Sequence, residues 1–176
     1  MVAFDEGRFG RKTWCRRRWC PLGKRPPWVV EDVYEWLWVY IAVDPLTGHC
    51  WSLLLPKVDG TWLQPFLDHL REATGTQRVG VVLDNAPSHK SGHVAWPAGI
   101  EPLYLPPYSP ELDPAEQIFR RLRGHLANTV FGSQQALEEA LIHEVELLWA
   151  DPAAVHQLTG YPWWQDAFKD IINSVD

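Results

Sequence analysis

Cysteine is scarce: Cys15, Cys20 and Cys50 are the only three in 176 residues. An odd count with no second pair argues against a disulfide framework and against a four-ligand zinc site, so reduced thiols are expected. Long apolar runs are missing as well. Nowhere do about 18 uncharged apolar residues follow one another, which excludes a membrane-spanning helix. The N-terminus also lacks the apolar stretch of a secretion signal. Internal repeats, low-complexity tracts and linkers are absent. What remains is an ordinary globular composition, 46% hydrophobic and 22% charged, in a chain long enough for one core and too short for two. A single cytoplasmic domain spanning residues 1–176, with no membrane partner, is the expectation.

A positive net charge is also missing, since the total is -6, and this speaks at first against a polyanionic partner. The distribution reverses that impression. Arg8, Arg11, Lys12, Arg16, Arg17, Arg18, Lys24 and Arg25 crowd the first 27 residues, opposed there only by Asp5 and Glu6. The rest of the chain is strongly acidic. Such asymmetry predicts a concentrated basic surface that a phosphate backbone would feel. A solvated basic hairpin explains it equally well, and charge alone does not separate the two.

The pattern of residue types orders the elements. Val2–Phe4 reads as a short strand ending at Asp5. Tyr34–Val43 is β-branched and aromatic, closed by the turn Asp44-Pro45-Leu46-Thr47-Gly48, and His49–Leu55 supplies an antiparallel return. Thr61–Thr74 carries apolar residues at helical spacing, with Thr61 as a possible cap. The continuous apolar run Val79–Leu83 suits a strand buried on both faces, with Asp84 at its carboxyl end. A short strand Glu101–Leu105, a proline-rich loop and two helices, 114–129 and 133–149, complete the pattern. Together they predict an α/β fold, a mixed sheet flanked by helices. The tryptophans at 36, 38, 62 and 149 sit in strand or helix patterns and are expected in the core.

Three carboxylates stand out by position: Asp5 on the first strand, Asp84 at the end of the central one, and Glu116 at the start of a helix. Sites in open α/β sheets gather at strand carboxyl ends. Three such groups brought together repel one another and raise their pKa values unless a cation neutralises them. Mg2+ favours such oxygen donors, and a pair of ions can stabilise both attacking and leaving oxygens in phosphoryl displacement. Each residue has a plainer role when taken alone. Asp113-Pro114-Ala115-Glu116 fits a capped helix start, Asp84-Asn85 fits a turn, and His89 fits an exposed or capping position.

As a set, these residues resemble a known family. Phe4-Asp5-Glu6, then Leu83-Asp84-Asn85-Ala86-Pro87-Ser88-His89, then Leu105-Pro106-Pro107-Tyr108-Ser109-Pro110-Glu111-Leu112-Asp113-Pro114-Ala115-Glu116 are similar in order and chemistry to the catalytic domain of mariner-superfamily DDE transposases, in their bacterial insertion-sequence branch. The third block is the most specific. The resemblance covers residues 2 to about 130 and implies a ribonuclease H-like fold with a mixed five-stranded sheet flanked by helices. It implies Asp5, Asp84 and Glu116 as catalytic metal ligands for Mg2+ or Mn2+, in two ions. Asn85, His89 and Asp113 are candidate supports around them. The implied activity is metal-dependent DNA cleavage and strand transfer on the nucleoid.

Two departures matter. The family usually has asparagine where this chain has Asp113, so an extra negative charge lies beside the third ligand. Whole transposases of this kind carry an N-terminal helix-turn-helix that reads the element's ends, whereas here the chain starts at the first catalytic strand. The expectation is that this recognition region is absent and is supplied by a separate or frameshift-fused reading frame. The alternative is a non-catalytic DNA-binding or assembly remnant. Partners are then element-end and target DNA and, by analogy, further copies of the chain. Within Trp14-Cys15-Arg16-Arg17-Arg18-Trp19 the arginines are candidate phosphate contacts and Trp19 is expected to pack in a hairpin. Lys24 and, on the helix bearing Glu116, Arg120, Arg121 and Arg123 are further DNA-binding candidates.

Overall fold

The computed structural model describes residues 1–24 and 29–173. Five strands form one sheet in the order β3-β2-β1-β4-β5. β1 (Val2–Gly10), β2 (Trp36–Val43) and β3 (Cys50–Leu55) make an antiparallel meander, while β4 (Val79–Leu83) and β5 (Ile100–Tyr104) run parallel to β1. The mixed α/β architecture agrees with the sequence pattern. Helix α1 (Gly60–Thr74) crosses one face, and α2 (Ala115–His125), α3 (Gln134–Ala150), α4 (Pro152–Thr159) and α5 (Pro162–Asn173) follow β5.

The alternation of side chains across each strand divides the core in two. Val2, Phe4, Tyr40, Ala42, Val81 and Leu83 face Leu63, Phe66, Leu67 and Leu70 of α1. Ala3, Phe9, Val39, Ile41 and Val82 face α2, α3 and α4, through Ile118, Phe119, Leu122, Leu141, Val145 and Val155. Both sets are buried, which makes β1 the shared wall of two cores.

Several boundaries differ from the sequence reading. β1 does not end at Phe4; pairing with β2 continues from Ala3↔Val43 to Gly10↔Trp36. Asp5 and Glu6 are therefore mid-strand and point to opposite faces, because backbone pairing tolerates charge wherever one side chain reaches a pocket or the solvent. The cap of α1 is Asp59, whose carboxylate accepts from the N–H groups of Thr61 and Trp62 at 2.9 and 3.0 Å, so Thr61 lies inside the helix. α2 stops at His125, short of residue 129. Asn128 takes a positive φ of 61°, a conformation that asparagine tolerates. The helices α4 and α5 were not legible. Trp149 is half exposed and Trp36, Trp38 and Trp62 are only partly buried, whereas the buried tryptophan is Trp164. A large indole at an element's edge covers core and solvent at once. The cysteines are free, as expected.

One close approach positions α2. A β-carbon on Gly7 would lie 2.3 Å from the ring of Phe119, and Phe119 is fully buried with no room to retreat. Only glycine at position 7 lets α2, which carries Glu116, lie this close to the strand that carries Asp5. Gly7→Ala is expected to cost about 1–3 kcal/mol of stability through overpacking, measurable by urea unfolding.

Candidate active site

The carboxyl end of β4, the middle of β1 and the start of α2 meet at one cleft of about 440 Å³. Asp5, Asp84, Asp113 and Glu116 all line it, together with Asn85 and the loop from Leu105 to Pro110. Asp84 reaches it because β4 ends one residue earlier. Asp113 reaches it by turning in at the entry to α2, where its Oδ1 accepts the Ala115 N–H at 2.8 Å. It thus contributes to the start of that helix, although Pro114 is the capping residue. Glu116 does not close a reciprocal capping box. Its carboxylate faces Arg123 two helical turns on, at 3.9 Å.

The electrostatics are strained. Burial raises the Asp5 carboxyl from 3.8 to about 7, and the charges of Glu6, Glu116 and Asp84 add to this against a lowering hydrogen bond from the Glu6 backbone. Asp113 is driven well above the usual carboxylate range by burial, then by Asp5, Glu116 and Asp84, despite the Ala115 N–H. Among the described residues, no lysine, arginine or histidine forms an ion pair with either group. A part-buried acid beside a buried one, neither ion-paired among the described residues, offers oxygen donors whose chemistry suits a hard divalent cation. Their side chains do not converge: among the described residues, no three His, Cys, Asp or Glu groups meet in one coordination sphere. Asp84 instead turns its Oδ1 to the Ala86 N–H at 2.9 Å and to His89 Nδ1, also at 2.9 Å.

The supporting residues separate into different roles. His89 is neither exposed nor a cap. It is 1% exposed, with its ring edge-on to Phe4 and Nε2 3.0 Å from Glu6 Oε1. Burial lowers its pKa, but Glu6 and Asp84 outweigh this and lift it to about 9. Asn85 does not orient the Asp84 carboxylate. Its amide donates to the Leu105 carbonyl, and Lys90 Nζ donates to its Oδ1 at 2.5 Å, so it ties the loop after β4 to the loop after β5. The reason is directional, since consecutive loop side chains diverge. Glu6 was missed as a functional residue. Its signal was the period of two: a second acid directly after Asp5 must face the other side of the sheet, toward whatever follows Asp84.

The basic candidates also separate. Asn128 accepts the Arg16 N–H at 2.9 Å and donates its own backbone N–H to the Trp14 carbonyl at 2.8 Å, which docks the basic segment on α2. Arg16, Arg120 and Arg121 thereby line one groove with Gln117 and His125. Arg123 lies elsewhere, beside Phe9 and Phe119, in a larger groove of about 660 Å³ shared with Arg8, Trp14, Trp36 and Trp38. Arg17 and Lys24 are exposed, and Arg25 lies outside the described residues. Trp19 does not pack; it is fully exposed. Part of the basic excess is also spent locally. Arg11 pairs with Glu31 and Glu35, and Lys12 pairs with Asp32.

The DDE superfamily endonuclease family matches over residues 1–138, and the chain belongs to it. Uncharacterized protein y4pE/y4sA of Sinorhizobium fredii (strain NBRC 101917 / NGR234) is 32% identical over 98 residues, covering 54% of this chain and 73% of that protein. Among solved structures, the Mos1 mariner paired end complex with Mn is similar with a TM-score of 0.63 at 20% identity, over 89% of this chain and 52% of that one. The catalytic domain of Mos1 mariner transposase is similar at 0.54 and 20%, over 89% and 77%. The chain thus spans about half the length of the Mos1 chain in that complex. The mariner-type resemblance, the fold and the family agree with the sequence reading.

The raised acids have a measurable consequence without metal. The folded state holds a proton on Asp5 up to about pH 7, whereas the unfolded chain releases it near 3.8, so stability declines as pH rises through that window. Asp113 acts in the same direction. In chelator, Asp113→Asn is expected to flatten the decline between about pH 5 and pH 8 and to raise stability at the upper end by on the order of 1 kcal/mol, measured by urea unfolding.

Proposed function

We propose that this chain is the catalytic domain of an insertion-sequence transposase, acting as a Mg2+- or Mn2+-dependent DNA nuclease and strand transferase, with Asp5, Asp84 and Glu116 as the metal ligands. The observation that carries this reading is the shared cleft in which Asp5 and the buried Asp113, neither ion-paired among the described residues, stand beside Asp84 and Glu116. Bound divalent ions would offset that repulsion, sharpen a water or hydroxyl nucleophile and neutralise charge on the leaving oxygen. The rest is positioning. Asp5 is held by its strand, Glu116 is brought in by α2, and Asp84 turns inward from the end of β4. The reaction is hydrolysis at an element end followed by attack of the freed 3′ hydroxyl on target DNA, without a covalent protein intermediate. The Mos1 complex solved with Mn supports the metal, and the Sinorhizobium relative supports the bacterial branch. By the same analogy, two copies are expected to work on paired ends.

DNA would cross the cleft between the Arg16–Arg120–Arg121 groove and the groove holding Arg8 and Arg123, with Arg17, Arg18 and Lys24 extending the positive surface. The second reading is a non-catalytic module derived from such an enzyme.

Divalent-dependent nicking of end-containing DNA is expected for the wild type and is expected to fall below detection in Asp84→Asn; full activity in that variant would remove the triad assignment. If calorimetry finds no Mn2+ binding beyond that of a variant with Asp5, Asp84 and Glu116 all changed to alanine, the inert module stands instead. Changing both Arg120 and Arg121 to alanine is expected to weaken DNA binding regardless of sequence and to lower the slope of log affinity against log salt by about 1 to 2.

A further inference from the structure

The backbone ladder between the two strands that carry Asp5 and Asp84 is very short. β1 and β4 pair only at Val2↔Val81 and Ala3↔Val82, so it ends two residues before Asp5. From there β1 is held on one side by β2, while β4 stops at Leu83 and the chain turns away. Nothing in the sheet itself fixes the spacing of the two carboxylates.

A side-chain chain crosses that gap. Glu6, on the face of β1 opposite Asp5, keeps a buried carboxylate with Oε1 and Oε2 at 3.0 and 3.1 Å from His89 Nε2. The other ring nitrogen lies 2.9 Å from Asp84 Oδ1 and 3.2 Å from the Asp84 backbone carbonyl oxygen, so it holds both the side chain and the backbone of that residue. The ring packs edge-on against Phe4 at 5.7 Å between centroids, and the His89 backbone is anchored as well: its N–H donates to the Ala86 carbonyl at 3.0 Å and its carbonyl accepts from the Tyr104 hydroxyl at 3.3 Å.

We propose that Glu6 and His89 are positioning residues that together fix the rotamer of Asp84 and the distance between β1 and the end of β4, leaving the second oxygen of Asp84 for a divalent ion. This rests on the metal-dependent reading of the site. Neither residue touches the reacting atoms. They act through Asp84, as hydrogen-bond partners behind a metal ligand do, and loss of such partners costs about 10- to 100-fold in metal affinity. The pair also explains why a second acid follows Asp5 directly, since adjacent strand residues serve the two faces: one for the ion and one for the brace.

The test is Mn2+ titration by calorimetry on the whole chain without DNA, alongside thermal unfolding followed by circular dichroism. His89→Phe keeps the ring packed on Phe4 but removes both polar contacts, and Glu6→Gln keeps the shape but removes the charge. Mn2+ affinity is expected to fall about 10- to 100-fold in His89→Phe and about 3- to 10-fold in Glu6→Gln, with unfolding still cooperative. If both variants bind Mn2+ within roughly twofold of wild type while Asp84→Asn does not bind, the positioning assignment is overturned and the metal reading stands. If Asp84→Asn binds as wild type does, the metal reading itself fails and this assignment goes with it. Should His89→Phe fail to fold, Glu6→Gln decides by the same thresholds.

Discussion

Acidic groups crowded at one cleft govern this molecule. Asp113 is buried and Asp5 part-buried beside it, and Asp84 and Glu116 line the same cleft. An isolated protein can meet that cost in only a few ways, by protonating some acids, turning others away or drawing in a cation. The first two are visible. The pKa of Asp5 moves up to about 7, Asp84 turns to His89 and Glu116 faces Arg123. A site held open by its own repulsion is also one that a divalent ion would tighten.

The framework around the cleft serves to keep those acids near one another against that repulsion. Two cores grip β1 from opposite sides, and the missing side chain of Gly7 lets Phe119 and the rest of α2 approach. Asn85 ties the loops after β4 and β5 together. The extra acid at Asp113 adds repulsion but also anchors the first turn of α2. Local structure and site chemistry thus compete at one residue.

The charge asymmetry of the chain resolves into geography. Arg11 and Lys12 are consumed by Glu31, Glu35 and Asp32, which brace the extension between β1 and β2. Asn128 then docks that extension on α2, so that Arg16 joins Arg120 and Arg121 although they are far apart in sequence. Arg8 lies over Trp36 at 4.4 Å, which gives the second groove both an aromatic and a cationic wall. The acidic total of the chain therefore coexists with two grooves lined by basic side chains.

Much of this was legible before folding. The apolar run Val79–Leu83, the turn at Asp44–Gly48 and the three blocks ending in Asp5, Asp84 and Glu116 are local patterns, and local patterns survive into the structure because propensity and periodicity act over a few residues. The extent of β1, the exposure of Trp19 and Trp149, the true reach of Asn85 and the brace between Glu6 and His89 were not legible. Each depends on what packs opposite, and that partner lies tens of residues away. The sequence by itself determined which acids exist and that Asp84 follows the end of a buried strand. Tertiary structure alone decided which of them are buried, which are turned aside and what holds them there, because burial and long-range contact are properties of the assembled sheet and not of any segment.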